Sequence, residues 1–95
     1  MTDPTILVLS SLAEGAKHGY AIMQDVAAFA GVELGPGTLY GAITRLEGCG
    51  WIQPSGPRTR RQAYALTSAG RTHLRERLAE IDRVAKTAKT RLRHV

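Results

Sequence analysis

Residues 34–47 read Leu34-Gly35-Pro36-Gly37-Thr38-Leu39-Tyr40-Gly41-Ala42-Ile43-Thr44-Arg45-Leu46-Glu47, and they predict one helix with two different faces. Pro36 suits the first helical position, where its missing N–H costs no hydrogen bond. Gly50 lies where a left-handed glycine ends a helix. At about 100° per residue, the apolar side chains gather on one side and predict a core face. They are Leu39, Ala42, Ile43, Leu46 and Cys49.

The opposite face of this predicted helix has very little bulk. It carries Gly37, Tyr40, Gly41, Thr44, Arg45 and Gly48. A glycine inside a helix costs about 1 kcal/mol relative to alanine, so Gly41 and Gly48 lie there against helix propensity. A smooth face with hydroxyls and one arginine is what a helix entering a DNA major groove needs. The residues leave open a second interpretation, in which the glycines let a neighbouring helix pack closely.

Two further helices are predicted before this one. Asp3 is a good N-cap and Pro4 a good first-turn residue, and the helix that they begin ends near Gly15. A second amphipathic helix ends at Gly31. Residues 17–19 predict a short connection between the two, and residues 32–34 are compatible with a stub of strand. Three helices joined by short turns predict a helix-turn-helix.

The pattern changes after Gly50. Residues 51–53 look extended, and residues 62–66 alternate in polarity as a strand does. Residues 55–61 lie between them, with turn residues first and three arginines last. Two strands and a basic loop after a helix-turn-helix predict a winged helix, so we expect a mainly α fold with a small β-hairpin, its winged-helix DNA-binding domain in residues 1–67. Trp51 is expected to pack at the base of the wing.

A long helix is predicted at the C-terminal end. Thr67 is a good N-cap, and the helix can run from Ser68 to near His94, about 40 Å at 1.5 Å per residue. Gly70 is expected to weaken its first turn. Six residues keep the four-three alternation of a coiled-coil seam. They are Leu74, Leu78, Ile81, Ala85, Ala88 and Leu92. We predict that residues 68–95 form a dimerisation helix, the alternative being that it folds back on its own domain.

Composition limits the function classes. The 95 residues make one small domain with a net charge of +5. Residues 1–50 carry two basic side chains against five acidic ones, whereas residues 51–95 carry eleven against three. Such asymmetry predicts a polyanionic partner for the second half, or else a solvated basic helix. The lone Cys49, and the lack of a signal peptide or of an apolar run that could span a membrane, lead us to expect a cytoplasmic protein with no membrane partner.

No constellation of catalytic residues is present in the sequence. His18, His73 and His94 are far apart and have no metal-ligand spacing. Cys49 has no nearby cysteine, and its place on the apolar face predicts a buried structural thiol. His18 is better read as a turn or cap residue than as a base. We therefore expect no enzymatic activity, no metal and no cofactor.

Several motifs, in order, carry a family resemblance. They are residues 13–20 (AEGAKHGY), 35–40 (GPGTLY), 45–47 (RLE), 50–52 (GWI) and 64–70 (YALTSAG). The chain resembles the PadR-type transcriptional regulators from about Ile6 to about Leu78. The resemblance implies a homodimeric winged-helix DNA-binding protein, usually a repressor and often released by a small molecule. The short C-terminal helix resembles the compact subclass, but no aromatic residue follows Tyr64, which disfavours a flat aromatic drug as inducer.

The predicted interface with double-stranded DNA has two parts. On the central helix, Arg45 is the best residue to read guanine, Thr38 and Tyr40 are expected to hold phosphates, and Gly41 allows close approach. Thr44 lies on the same face. The wing residues Arg58, Arg60 and Arg61 are expected to hold the DNA backbone or the minor groove.

Two further partners follow from this interpretation. A two-fold dimer predicts an inverted-repeat operator with half-sites about one helical turn apart. An inducer is expected between the two chains, near the first and fourth helices. The competing interpretation is a winged-helix protein-interaction module that binds an acidic partner without DNA.

Overall fold

The computed structural model describes residues 3–94. Four helices and three short strands follow one another along the chain. They are α1 (Pro4–Leu12), β1 (Lys17–His18), α2 (Gly19–Ala30), α3 (Pro36–Gly48), β2 (Ile52–Ser55), β3 (Ala63–Leu66) and α4 (Ser68–Arg93). This order confirms the predicted fold class, a mainly helical winged helix-turn-helix followed by a long C-terminal helix.

The predicted helix starts are confirmed by their caps. The Asp3 carboxylate accepts the Thr5 N–H at 2.9 Å, which satisfies one of the free donors at the start of α1. The Thr67 hydroxyl does the same for the Gly70 N–H at 3.0 Å at the start of α4. His18 caps α2 through its ring Nδ1, as the expectation of a turn or cap residue requires.

The sheet is larger than the predicted hairpin. Its strand order is β1-β3-β2, with both pairings antiparallel. The expectation that residues 17–19 form a plain connection is therefore wrong, because Lys17 pairs with Tyr64 and His18 with Ala63. A strand of two residues is too short to show alternating polarity, so its pairing comes from tertiary contact. Residues 32–34 form no strand, and Leu34 is buried in the core instead.

The core lies between the first three helices, and α1 is at its centre. This short helix packs against α2, α3 and α4 and is buried on nearly every side. The core face of α3 is confirmed at four of its five predicted positions. Leu39, Ala42, Ile43 and Leu46 are each no more than 2% exposed.

Cys49 is the exception, because it is exposed rather than buried. The helix ends at Gly48, and Gly50 takes a left-handed conformation with φ +75°. Cys49 is the C-cap residue, and its N–H still bonds to the Arg45 carbonyl oxygen at 3.0 Å, so the helical spacing reaches it although this end of the face is left exposed. Gly50 is thus the left-handed glycine that follows the helix, as predicted.

A polar cluster joins α1, β1 and α2. The Ser11 hydroxyl, on a residue only 1% exposed, donates to the Asp25 carboxylate at 2.7 Å. The Lys17 ammonium lies 3.7 Å from the same carboxylate and 2.7 Å from that of Glu14, and it also donates to the Ser11 carbonyl oxygen. Because every member has a partner, the cluster fixes the start of β1 without an unsatisfied buried group.

The start of α4 packs closely on Trp51, in the turn between α3 and β2. Gly70 and Leu74 are its buried residues. A Cβ built on Gly70 would lie 2.0 Å from the Trp51 carbonyl oxygen, so only glycine fits there. Thr67 donates its N–H to that oxygen at 3.0 Å, and the Trp51 indole stacks on the His73 ring with centroids 3.5 Å apart. Trp51 therefore packs at the base of the wing, as expected, and Gly70 is a packing requirement rather than a weakness.

Candidate nucleic-acid interface

The outer face of α3 is open to solvent. Thr38, Tyr40, Thr44 and Arg45 are exposed, and Gly41 is half-buried. The spacing argument therefore sorts this helix correctly into a core face and an outer face. The outer face carries no acidic residue between Thr38 and Arg45, so its charge comes from the Arg45 guanidinium.

The glycines of this face touch no neighbouring helix. A Cβ built on Gly37 or Gly48 would have no atom within 4 Å among the residues that the structure describes. A Cβ on Gly41 would meet only the Arg45 Nη1, at an ordinary contact distance of 3.8 Å. The interpretation in which these glycines admit a packed helix is therefore wrong for residues 3–94, and the face is free to receive something from outside.

Tyr40 and Thr44 both make contacts within the protein. The Thr44 hydroxyl donates to the Tyr40 carbonyl oxygen at 2.9 Å, which leaves the hydroxyl oxygen free to accept. The Tyr40 ring reaches across to the start of α2, where a Cβ on Gly19 would come within 2.6 Å of its hydroxyl oxygen. Tyr40 therefore presents its phenol beside α2 as well as beside the outer face of α3.

The wing arginines are exposed at the end of the β2–β3 connection. Arg58, Arg60 and Arg61 have no acidic neighbour in sequence between residues 48 and 75. The Thr59 hydroxyl accepts the Arg61 N–H at 3.2 Å and gives the loop a local bend. At its base, the Gln62 side-chain amide donates to two backbone carbonyl oxygens, at 3.2 and 3.0 Å, and closes the root of the wing.

Part of the predicted interface comes together around a cavity of about 130 Å³ between the wing, α3 and the start of α2. We call it the wing-root cavity. Three of the predicted residues line it: Tyr40, Arg60 and Arg61. Five others complete the lining: His18, Gly19, Tyr20, Gln62 and Tyr64. Thr38, Gly41, Thr44, Arg45 and Arg58 lie outside it.

Sequence reasoning missed this cavity because the β1–β3 pairing builds it. Lys17 lies opposite Tyr64, and this register brings the start of α2 to the root of the wing. Burial, the nearby Glu47 carboxylate and the nearby Tyr40 together raise the pKa of Tyr64, so its phenol stays protonated and can donate.

The outer half of α4 exposes a row of apolar side chains. Leu78 and Ile81 are 41% and 42% exposed, and Val84 and Leu92 are 69% and 75% exposed. Leu74, which the seam also includes, is instead 6% exposed and belongs to the core of its own domain. Ala85 is half-buried and Ala88 exposed.

Val84 was not part of the predicted seam, because it lies one residue outside the four-three alternation. It lies beside Ile81 and Ala85 in one shallow groove and beside Ala88 in the next. The apolar row is thus wider than the seam. None of the helices in residues 3–94 is long and apolar enough to cross a membrane, and these residues hold no cluster of metal-ligating side chains.

A family model described as the transcriptional regulator PadR-like family matches residues 8–76, well over half of the chain. The chain belongs to the PadR-like family of transcriptional regulators. This confirms the resemblance that the sequence motifs carried. PadR-like proteins are transcription factors, so membership supports a regulator rather than an enzyme.

Solved PadR-like structures share the fold over almost their whole length. A PadR family transcription regulator from Clostridium difficile is 28% identical, with a TM-score of 0.82 over 94% of this chain and 97% of that chain. A transcriptional regulator from Clostridium thermocellum is 29% identical, with a TM-score of 0.81 over 92% and 87%. A PadR family transcriptional regulator from Eggerthella lenta is 30% identical, with a TM-score of 0.79 over 93% and 80%.

A segment similar to this chain also occurs in a much longer protein. An uncharacterised 37.1 kDa protein in transposon TN4556 of Streptomyces fradiae is 45% identical over 69 residues. The match covers 73% of this chain and 20% of that protein. The chain thus spans about a fifth of this relative's length.

Proposed function

We propose that this PadR-like regulator is a homodimeric repressor that binds a specific DNA sequence and is released by a small molecule. The observation that carries the proposal is the open outer face of α3. Gly41 lies inside the helix on this face although no neighbouring element in residues 3–94 needs the space. A helix gives up about 1 kcal/mol of propensity at such a position, so the space has another use.

The major groove of DNA is the partner that this face fits. Arg45 is its one long donor and is suited to a bidentate contact with guanine, worth about 1–3 kcal/mol of discrimination. Thr38 lies in the first turn of α3, where the partial positive charge of the helix end favours a phosphate. Gly41 lets the groove edge approach the helix backbone, and Thr44 lies one turn further along the same face.

The wing supplies affinity that is independent of sequence. Arg58, Arg60 and Arg61 are exposed on one loop and are suited to the backbone or the minor groove. Affinity falls linearly with salt concentration on a log–log plot. Each phosphate that these arginines neutralise should make the slope of that plot steeper by about 0.9.

The apolar row of α4 supports dimerisation through residues 68–95, with residues 1–67 as the DNA-binding domain. The described chain measures 54 Å along its longest axis, and beyond Leu74 α4 contains no buried residue. A second copy would cover Leu78, Ile81 and Val84 and also present a second α3. The bound operator is then an inverted repeat with half-sites about one helical turn apart.

An inducer would act between the two chains, beside the apolar side chains of α1 and α4. It must bind the arrangement that cannot hold DNA more tightly than the one that can, since equal affinity shifts neither. No aromatic side chain follows Tyr64, so the inducer need not be a flat aromatic compound.

Selection from a pool of random duplexes tests the proposal. The purified protein is used to capture duplexes in moderate salt, and the bound pool is sequenced after several rounds. We expect an inverted repeat with the stated spacing. An unenriched pool, together with binding of an acidic protein partner instead, would assign the fold to a protein-interaction module and end the DNA proposal.

A further inference from the structure

The wing-root cavity has the polarity of an anion site. None of its eight lining residues is acidic, and two of them are the Arg60 and Arg61 guanidinium groups. The Tyr20, Tyr40 and Tyr64 phenols add three neutral donors from three different elements. Since a guanidinium group offers donors only and a phenol can donate, an acceptor-rich negative group suits this lining.

His18 adds a third kind of donor. Its Nδ1 accepts the Ala21 N–H at 3.4 Å, so in the neutral ring the proton lies on Nε2. His18 is part of the lining, and its remaining nitrogen is then a donor. The cavity is therefore rich in donors.

The volume of the cavity, about 130 Å³, has room for an ion of five heavy atoms such as phosphate. Pockets for drug-sized ligands hold about 300–1,000 Å³. The cavity is too small for an inducer of that size or for a flipped base.

We propose that the wing-root cavity binds one phosphate group of the DNA backbone, held jointly by Arg61 and by the hydroxyls of Tyr20 and Tyr64. The proposal rests on the proposed DNA-binding function and adds Tyr20 and Tyr64, which this function did not use. A single phosphate would join the start of α2, the Tyr40 side of α3 and the wing. It would thereby set the angle at which α3 enters the groove.

The test shows whether Arg61 and the tyrosine hydroxyls hold the same phosphate or contribute to DNA binding independently. Affinity for a random-sequence duplex is measured by fluorescence anisotropy at several salt concentrations. Tyr64→Phe removes one neutral donor to a charged group, so we expect about tenfold weaker binding with an unchanged salt slope. Arg61→Ala removes a neutralising charge and should lower that slope by about 0.9.

The combined variant is the decisive one. If the two effects were independent, the loss of affinity in the double variant Tyr64→Phe/Arg61→Ala would equal the product of the two single losses. We expect a loss at least about threefold smaller than that product, because both groups hold the same phosphate. Arg58→Ala is the matched control, since it removes a wing charge that lies outside the cavity. Its effect should multiply with that of Tyr64→Phe.

Two results would overturn the proposal. One is wild-type affinity in both Tyr64→Phe and Tyr20→Phe, and the other is multiplication of the Tyr64 and Arg61 effects as in the Arg58 control. The thermal midpoint of each variant shows whether it folds, and Tyr20→Phe, at an exposed residue, gives a second variant if Tyr64→Phe does not.

Titration with inorganic phosphate identifies the source of the group. Amide shifts of Gly19 and Tyr20 in NMR spectra at constant ionic strength report its entry. If phosphate enters but both Tyr64→Phe and Tyr20→Phe leave duplex binding unchanged, the cavity binds a free phosphate compound and the DNA assignment is wrong. If the wild type binds no duplex, the proposed function fails. In that case, the amide shifts of Gly19 and Tyr20 on titration with phosphate decide whether the cavity is an anion site.

Discussion

Replacing Gly41 should move stability and DNA binding in opposite directions. A Cβ at this position meets only the Arg45 Nη1, at 3.8 Å, so Gly41→Ala introduces no clash. It removes the helix penalty of glycine, so the free energy of unfolding should rise by up to about 1 kcal/mol. For a domain of this size that corresponds to a thermal midpoint about 4–8 °C higher.

A side chain at position 41 also takes up space that the DNA needs. The larger side chain of Gly41→Leu should hold the helix away from the groove. The binding free energy should weaken by about 1–3 kcal/mol, the value of the Arg45 base contact that is then prevented. Circular dichroism melting gives the stability, and anisotropy with the selected operator gives the affinity. Gly48→Ala is the control, because a Cβ there would meet no atom within 4 Å and Gly48 lies two turns further along α3, at its last residue.

The reasoning would be refuted by two outcomes. Unfolding of Gly41→Leu would mean that the position faces protein rather than solvent. Operator affinity that stays at the wild-type level in Gly41→Leu, with a folded domain, would mean that α3 does not enter the groove by this face. The Gly48→Ala control should gain stability and keep its affinity for the operator.

Further predictions concern the joint of α4 and the dimer. Gly70→Ala should lower the free energy of unfolding by about 3 kcal/mol or more, because its Cβ would lie 2.0 Å from a backbone oxygen that cannot move aside; urea unfolding that matches the wild type contradicts this. Leu78→Asp with Ile81→Asp should give a monomer in light scattering. Each side chain is about two-fifths exposed, so the four in a dimer contribute on the order of 3 kcal/mol, and four buried aspartates would cost several more. A wild type that is already monomeric at micromolar concentration removes the dimer from the proposal.

The helices could be predicted from the sequence because their signals are local. Asp3 and Thr67 cap, Gly50 ends α3, and apolar residues recur at a helical spacing. The two faces of α3 follow from the same spacing. Cys49 shows the limit of this spacing. The spacing places Cys49 on the core face, but it does not tell how far along the helix the core extends, and the thiol at the C-cap is exposed.

The rest depends on contacts between distant parts of the chain. β1 has two residues and exists because Tyr64 pairs with Lys17, so no local pattern could reveal it. The wing-root cavity depends on that pairing and was missed for the same reason. Gly70 could be read only as a weak helix former, because its need for close approach to Trp51 comes from the packing of α4 on the turn between α3 and β2.

The central claim is that α3 reads bases while the wing holds the backbone. Binding of the wild type, Arg45→Ala and Arg60→Ala to the selected operator and to a random duplex, each over a range of salt, tests it most directly. We expect Arg45→Ala to lose about 1–3 kcal/mol on the operator alone and to relax one base position. Arg60→Ala should weaken both duplexes alike and lower the salt slope by about 0.9. Equal losses for both variants on both duplexes would contradict the assignment of base reading to Arg45, and no loss in either would contradict DNA binding by this surface.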